Sequence, residues 1–66
     1  MGILSLNYLE KEVFDLFSKG YKIKEISEKL DIGEKKLSRI FKDVESRFNA
    51  KNKIHAMCLL IKNNLL

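Results

Sequence analysis

Sixty-six residues make room for one domain, and a lone cysteine and a lone histidine exclude both a disulfide framework and a Cys/His zinc site within the chain. The apolar run 56–61 is far shorter than the roughly 20 residues a bilayer span needs, and the N-terminus lacks a secretory pattern, so the sequence reads as a soluble, cytoplasmic protein without a membrane role. Thirteen Lys/Arg against nine Asp/Glu give a net charge of +4 and an isoelectric point near 9.3; a polyanionic partner is permitted by that total, and only the placement of the charges can argue for one.

There is no proline and no sustained strand-like alternation, and the periodicity is helical nearly throughout. Asn7 with Glu10 three residues on has the spacing of a capping box. Leu9, Val13, Leu16 and Phe17 then form an apolar stripe and Gly20 supplies a left-handed stop, which predicts a first helix over residues 8–19. Ile23, Ile26 and Leu30 predict a short second helix over 23–29. Asp31, Ile32 and Gly33 follow as a tight turn, with Gly33 suited to the turn or to the next N-cap and a buried Ile32 pinning it.

Leu37, Ile40, Phe41, Val44 and Phe48 predict a third helix over 34–48, and a fourth over 52–63 ends in a frayed-looking tail of two asparagines and two leucines. A short helix, a three-residue turn and a longer basic helix make a helix-turn-helix arrangement within an all-α fold of four helices.

On the third helix the side opposite the core stripe carries Lys35, Arg39, Lys42 and Ser46, with Lys36 on a margin that it shares with Asp43. Glu34 and Glu45 fall on a flank. A solvated face is the plain reading of such a helix, but solubility is usually served by Glu–Lys pairs four residues apart, and this line of cations has almost none. As the second helix of a helix-turn-helix its exposed face is also the one that enters a major groove. Arg forks onto guanine edges and Lys or Ser bonds phosphate or base groups, so the placement favours double-stranded DNA.

In register, the chain resembles the LuxR/GerE-type helix-turn-helix domain of bacterial transcription regulators. The family's opening Leu-Thr-x-Arg-Glu-x-Glu-Val-Leu aligns with the nine residues from Leu6 to Phe14. Its Gly…Lys-Glu-Ile-Ala…Leu-x-Ile-Ser core aligns with Gly20, Lys24, Glu25, Ile26, Ser27, Leu30, Ile32 and Gly33, and its Thr-Val-Lys with Lys36, Leu37 and Ser38. Later family positions fall on Val44, Arg47, Phe48, Asn52, Lys53 and Ala56, without a gap from residue 6 to about 60. Leu9, Gly33 and Ile40 replace the family's Arg, Ser and His, and Lys36 and Ser38 exchange a cation and a hydroxyl. The resemblance implies a single domain over 1–66 and DNA contacts from Lys35, Lys36, Ser38, Arg39 and Lys42; reading the helical wheel selects Lys35, Arg39 and Lys42 independently.

The fourth helix is apolar on two sides, with Ile54, Met57, Cys58 and Ile61 on one and Ala56, Leu59 and Leu60 on the other, and His55 and Lys62 between them. One face covers the core. The other, with Leu65 and Leu66, either packs under the Ile3–Leu4 segment or meets a second copy, as the family's habit implies. The dimer interface is then expected at Ile54, Met57, Cys58, Ile61 and Leu65. Cys58 three residues from His55 lacks a third group to orient a nucleophile–base pair, and with no phosphate loop and no paired carboxylates an enzyme is not expected.

No cofactor and no small-molecule ligand are expected. Two rival readings keep the fold: an anti-activator that binds protein through the fourth helix, and a promoter-binding domain like sigma region four that acts with RNA polymerase. The chain carries no sensor or receiver, and reads as a minimal regulator or as the C-terminal domain of a response regulator.

Overall fold

A computed structural model describes residues 5–66, so the expectation for Ile3 and Leu4 lies outside the described residues. Four helices follow in order, α1 (Tyr8–Ser18), α2 (Ile23–Leu30), α3 (Glu34–Arg47) and α4 (Lys53–Lys62). Each predicted helix is present. The ends differ because Lys19, Phe48, Asn52 and Asn63 are caps rather than helical residues, and α2 extends to Leu30.

The starts are built from local side chains. Asn7 Oδ1 accepts the Glu10 amide at 2.8 Å and Glu10 Oε1 accepts the Asn7 amide at 3.1 Å, the expected capping box. At α2 only half of it exists: Glu25 Oε1 accepts the Lys22 amide at 2.8 Å. At α4 Asn52 Oδ1 accepts the His55 amide at 2.8 Å, and His55 Nδ1 accepts the Lys51 amide at 3.0 Å. Gly33 opens α3 with no side-chain cap.

The ends share one device. Gly20 (φ 93°), Asp31 (φ 54°), Asn49 (φ 55°) and Asn64 (φ 58°) are left-handed, and the next amide in each case reaches back five residues. Tyr21 donates to Leu16 O at 3.2 Å, Ile32 to Ser27 O at 3.1 Å, Ala50 to Glu45 O at 2.8 Å and Leu65 to Leu60 O at 2.8 Å. Those are Schellman closures, and Tyr21, Ile32, Ala50 and Leu65 all pack half-buried on the core.

One open alternative closes and one expectation changes as a result. The left-handed residue of the α2–α3 turn is Asp31, and of its two expected roles Gly33 takes that of N-cap, at φ −67°. The tail does not fray: Asn64 turns the chain and lays Leu65 and Leu66 against the core.

Val13, Phe14, Ile26, Leu37, Val44, Ala56 and Leu60 are fully buried, with Phe41, Ile40 and Phe48 nearly so. The stripe of α1 is rotated from its expected position. Phe14 lies at its centre, whereas Leu9, Leu16 and Phe17 are half-buried. Phe41 of α3 meets the rings of Phe14 and Phe17 edge-on, at centroid distances of 5.0 and 5.2 Å. α2 and α3 pack together across the turn, α1 packs on both, and α4 lies against α3. α3 is thereby held on three sides with its fourth side free.

Candidate nucleic-acid interface

α3 is amphipathic because its apolar residues recur on one side only, and burying that stripe fixes what the other side shows. Leu37, Ile40, Phe41 and Val44 point inward. Lys35, Lys36, Ser38, Arg39 and Lys42, the five residues expected from the sequence, are all exposed. Among the described residues the ion pairs are Lys19–Asp15 at 3.1 Å and Arg47–Glu10 at 2.7 Å, so none of the four cations on this face has a carboxylate partner. A shallow open depression lined by Gly33, Lys35, Lys36, Arg39, Ile40 and Asp43 runs along one edge of the face. Its single acid is Asp43, the adverse charge that the wheel places on the Lys36 margin.

Unpaired ammonium and guanidinium groups on a rigid helix have no internal partner to give up and offer a polyanion a row of donors. Lys and Ser suit phosphate oxygens, and the Arg39 fork suits a base edge. The α2–α3 turn holds this row in front of the domain, since Asp31 reverses the chain and Ile32 anchors the reversal on the core.

Sequence reasoning missed the residues that fasten the back of α3. Arg47, in its last turn, donates from Nη1 and Nη2 to both carboxylate oxygens of Glu10, each at 2.7 Å, and from Nη1 to the Ser5 carbonyl at 2.9 Å. Glu10 is only 5% exposed. The hydrogen-bonded guanidinium holds the Glu10 carboxyl below its ordinary pKa against the opposing effect of burial, and Glu10 raises that of Arg47 in return. The signal was present in the pattern, since Glu10 falls three, four and seven residues before Val13, Phe14 and Phe17. A carboxylate in a buried stripe demands a cation.

On α4 the structure decides which apolar side faces out. Ala56 and Leu60 are core. Of the five residues expected at a dimer interface, Ile54, Cys58 and Ile61 are exposed along one line, with Ile54 at 60% and Ile61 at 52%. Met57 and Leu65 are half-buried against the chain's own core. Of the two residues between the faces, Lys62 is solvated, while His55 is half-buried and accepts the Lys51 amide at Nδ1.

Among the described residues no helix is long and apolar enough to cross a membrane, and no three His, Cys, Asp or Glu side chains gather where a metal could sit. No curated protein matches the chain. The family model of the bacterial regulatory proteins of the luxR family, GerE, matches residues 4–60. With that match over most of its length and a four-helix helix-turn-helix fold beneath it, the chain belongs to the luxR family of DNA-binding bacterial regulators.

Proposed function

We propose that the domain binds double-stranded DNA sequence-specifically to regulate transcription, with α3 in the major groove and a second copy docked through α4. The observation that carries the reading is the exposed line of Lys35, Lys36, Arg39 and Lys42, unpaired and opposite a fully buried stripe. In this reading the lysines and Ser38 bind phosphates and set the register, while Arg39 reads a base edge. Two copies related by a two-fold axis would place their recognition helices about 34 Å apart on inverted half-sites. Ile54, Cys58 and Ile61 form the centre of that contact, with Met57 and Leu65 at its margin. The protein would work inside a bacterial cell on the duplex itself, and RNA polymerase is the partner through which an effect on transcription would pass.

Binding of labelled duplexes over a salt series tests the reading. Arg39→Ala is expected to cost about 1–3 kcal/mol on a selected site and to relax its sequence preference. Lys35→Ala should weaken every duplex alike and flatten the salt dependence. If both variants bind as the parent does, α3 is not the recognition helix. A protein-binding module acting through the exposed Ile54 and Ile61 would instead show no salt-sensitive duplex binding at all.

A further inference from the structure

The α1–α3 packing is fixed at two places by different physics. At mid-helix, Phe41 meets Phe14 and Phe17 through ring edges, with centroids 5.0 and 5.2 Å apart, a contact whose main contribution, apolar burial, is non-directional. At the end of α3 the Arg47 fork takes both oxygens of Glu10 and the Ser5 carbonyl, across 37 and 42 residues of sequence. Glu10 Oε1 is also the acceptor of the Asn7 amide, so the fork grips the capping box itself. Stability alone does not call for an ion pair here, because apolar residues of similar volume commonly replace a buried pair without loss. What a bidentate fork adds is direction.

We propose that Arg47 is a positioning residue for DNA recognition: held by Glu10 and Ser5, it sets the angle at which α3 presents its cations. The inference rests on the reading of α3 as the recognition helix. With the aromatic contact as pivot, Lys35 lies six residues away, an arm of about 9 Å at 1.5 Å per residue. A swing of about 15° displaces it by roughly 2 Å, several times the ~0.5 Å tolerance of a recognition geometry. Arg47 does not serve as a phosphate contact itself. It stands about 20° around the helix from Lys36 but three turns beyond it, at the far end of α3, and its terminal nitrogens are occupied by Glu10 and Ser5.

The test replaces the fork with apolar side chains, Glu10→Leu together with Arg47→Met, and compares the variant with the parent in three measurements. These are the melting temperature, the α1–α3 angle of the free protein from residual dipolar couplings, and binding to two duplexes. One duplex is selected by the parent from a random pool and the other is unrelated in sequence. A positioning role predicts a melting temperature lowered by no more than the roughly 2–8 °C that losing the Glu10 half of the capping box accounts for, a changed angle, and at least tenfold weaker binding of the selected duplex. The unrelated duplex, bound through phosphates, should change less than twofold. Arg47→Lys, which keeps the charge and removes the fork, should fall between, and it decides the matter if the double variant does not fold. Parent-like affinity for the selected duplex overturns the proposal, whatever the angle. If the parent selects no duplex, the DNA reading fails, and an unchanged angle then removes the positioning role as well.

Discussion

α3 and α4 both bury an apolar stripe against the same core and differ in what they leave outside. α3 hides Leu37, Ile40, Phe41 and Val44 and shows only polar groups, four of them unpaired cations. α4 hides Ala56 and Leu60 and still shows Ile54, Cys58 and Ile61. Core formation explains both inner faces and neither outer one. A cationic outer face fits a hydrated polyanion, and an apolar one fits a surface that excludes water.

The largest expected effect separates the two faces. Ile54→Asp with Ile61→Asp should raise the dissociation constant of the proposed dimer at least 100-fold, about 2.7 kcal/mol, since each copy contributes both side chains to a two-fold contact. Folding of the single copy should hold within about 0.5 kcal/mol, because both side chains are already more than half exposed. Sedimentation equilibrium and thermal melts measure the two quantities. A variant that dimerises like the parent would move the contact off this line, and one that unfolds would return the line to the core.

Removing the fastening of α3 comes next. Arg47→Ala leaves the Glu10 carboxylate buried without its cation and should destabilise the fold by about 2–3 kcal/mol, less than a fully buried pair would cost because Arg47 is partly solvated. The pair has a pH signature. Glu10 is depressed below its reference value of 4.5 in the folded chain, so its contribution is complete above the unfolded carboxyl range. It disappears as the pH falls through the folded value. Chemical denaturation between pH 7 and pH 3 should show a parental decline below about pH 4.5 that Glu10→Gln lacks. An identical acid limb in the two proteins would assign the decline to other carboxylates.

A smaller effect resolves the cationic face. Lys35→Ala with Lys42→Ala should reduce the slope of log affinity against log salt by about two, one for each phosphate no longer neutralised. Lys62→Ala on α4 should leave the slope unchanged. Equal slopes for all three proteins would make the placement of charge on α3 irrelevant and leave only the net charge.

Most of the fold was legible because its signals are local. Apolar periodicity places the helices, and Asn7, Glu10 and Gly20 mark ends within a few residues of one another. The outward row Lys35, Lys36, Ser38, Arg39 and Lys42 was legible for the same reason, since burying one stripe dictates its opposite. Three features needed tertiary context. The Glu10–Arg47 pair joins residues 37 apart. The left-handed Asp31, Asn49 and Asn64 carry side chains that tolerate that conformation without requiring it, unlike Gly20. Which side of α4 faces out depended on how the helix docks on α3, which buries Ala56 and Leu60 and leaves Ile54, Cys58 and Ile61 outside.

The smallest prediction concerns a helix start that lacks a side-chain cap. α4 begins on Asn52, whose side chain accepts the His55 amide, whereas α3 begins on Gly33, which offers nothing to the free amides of its first turn. The backbone of Gly33, at φ −67° and ψ 152°, is ordinary for an N-cap, and a Cβ there meets no atom within 4 Å. Gly33→Ser should therefore fold without strain. A hydroxyl cap adds a few tenths of a kcal/mol over glycine, and the less flexible unfolded chain adds about 0.4 kcal/mol or more. Together about 0.5–1 kcal/mol should appear as roughly 2–8 °C in Tm. Gly33 also lines the depression beside Lys35, Lys36 and Arg39, so the same variant reports on how near the turn comes to a duplex. A higher Tm with parental affinity means that the turn stands clear of the phosphates and the missing cap has no role in binding. A higher Tm with weaker binding means that the backbone at Gly33 approaches the duplex too closely for a side chain, which would give the absent cap a reason in recognition rather than in folding.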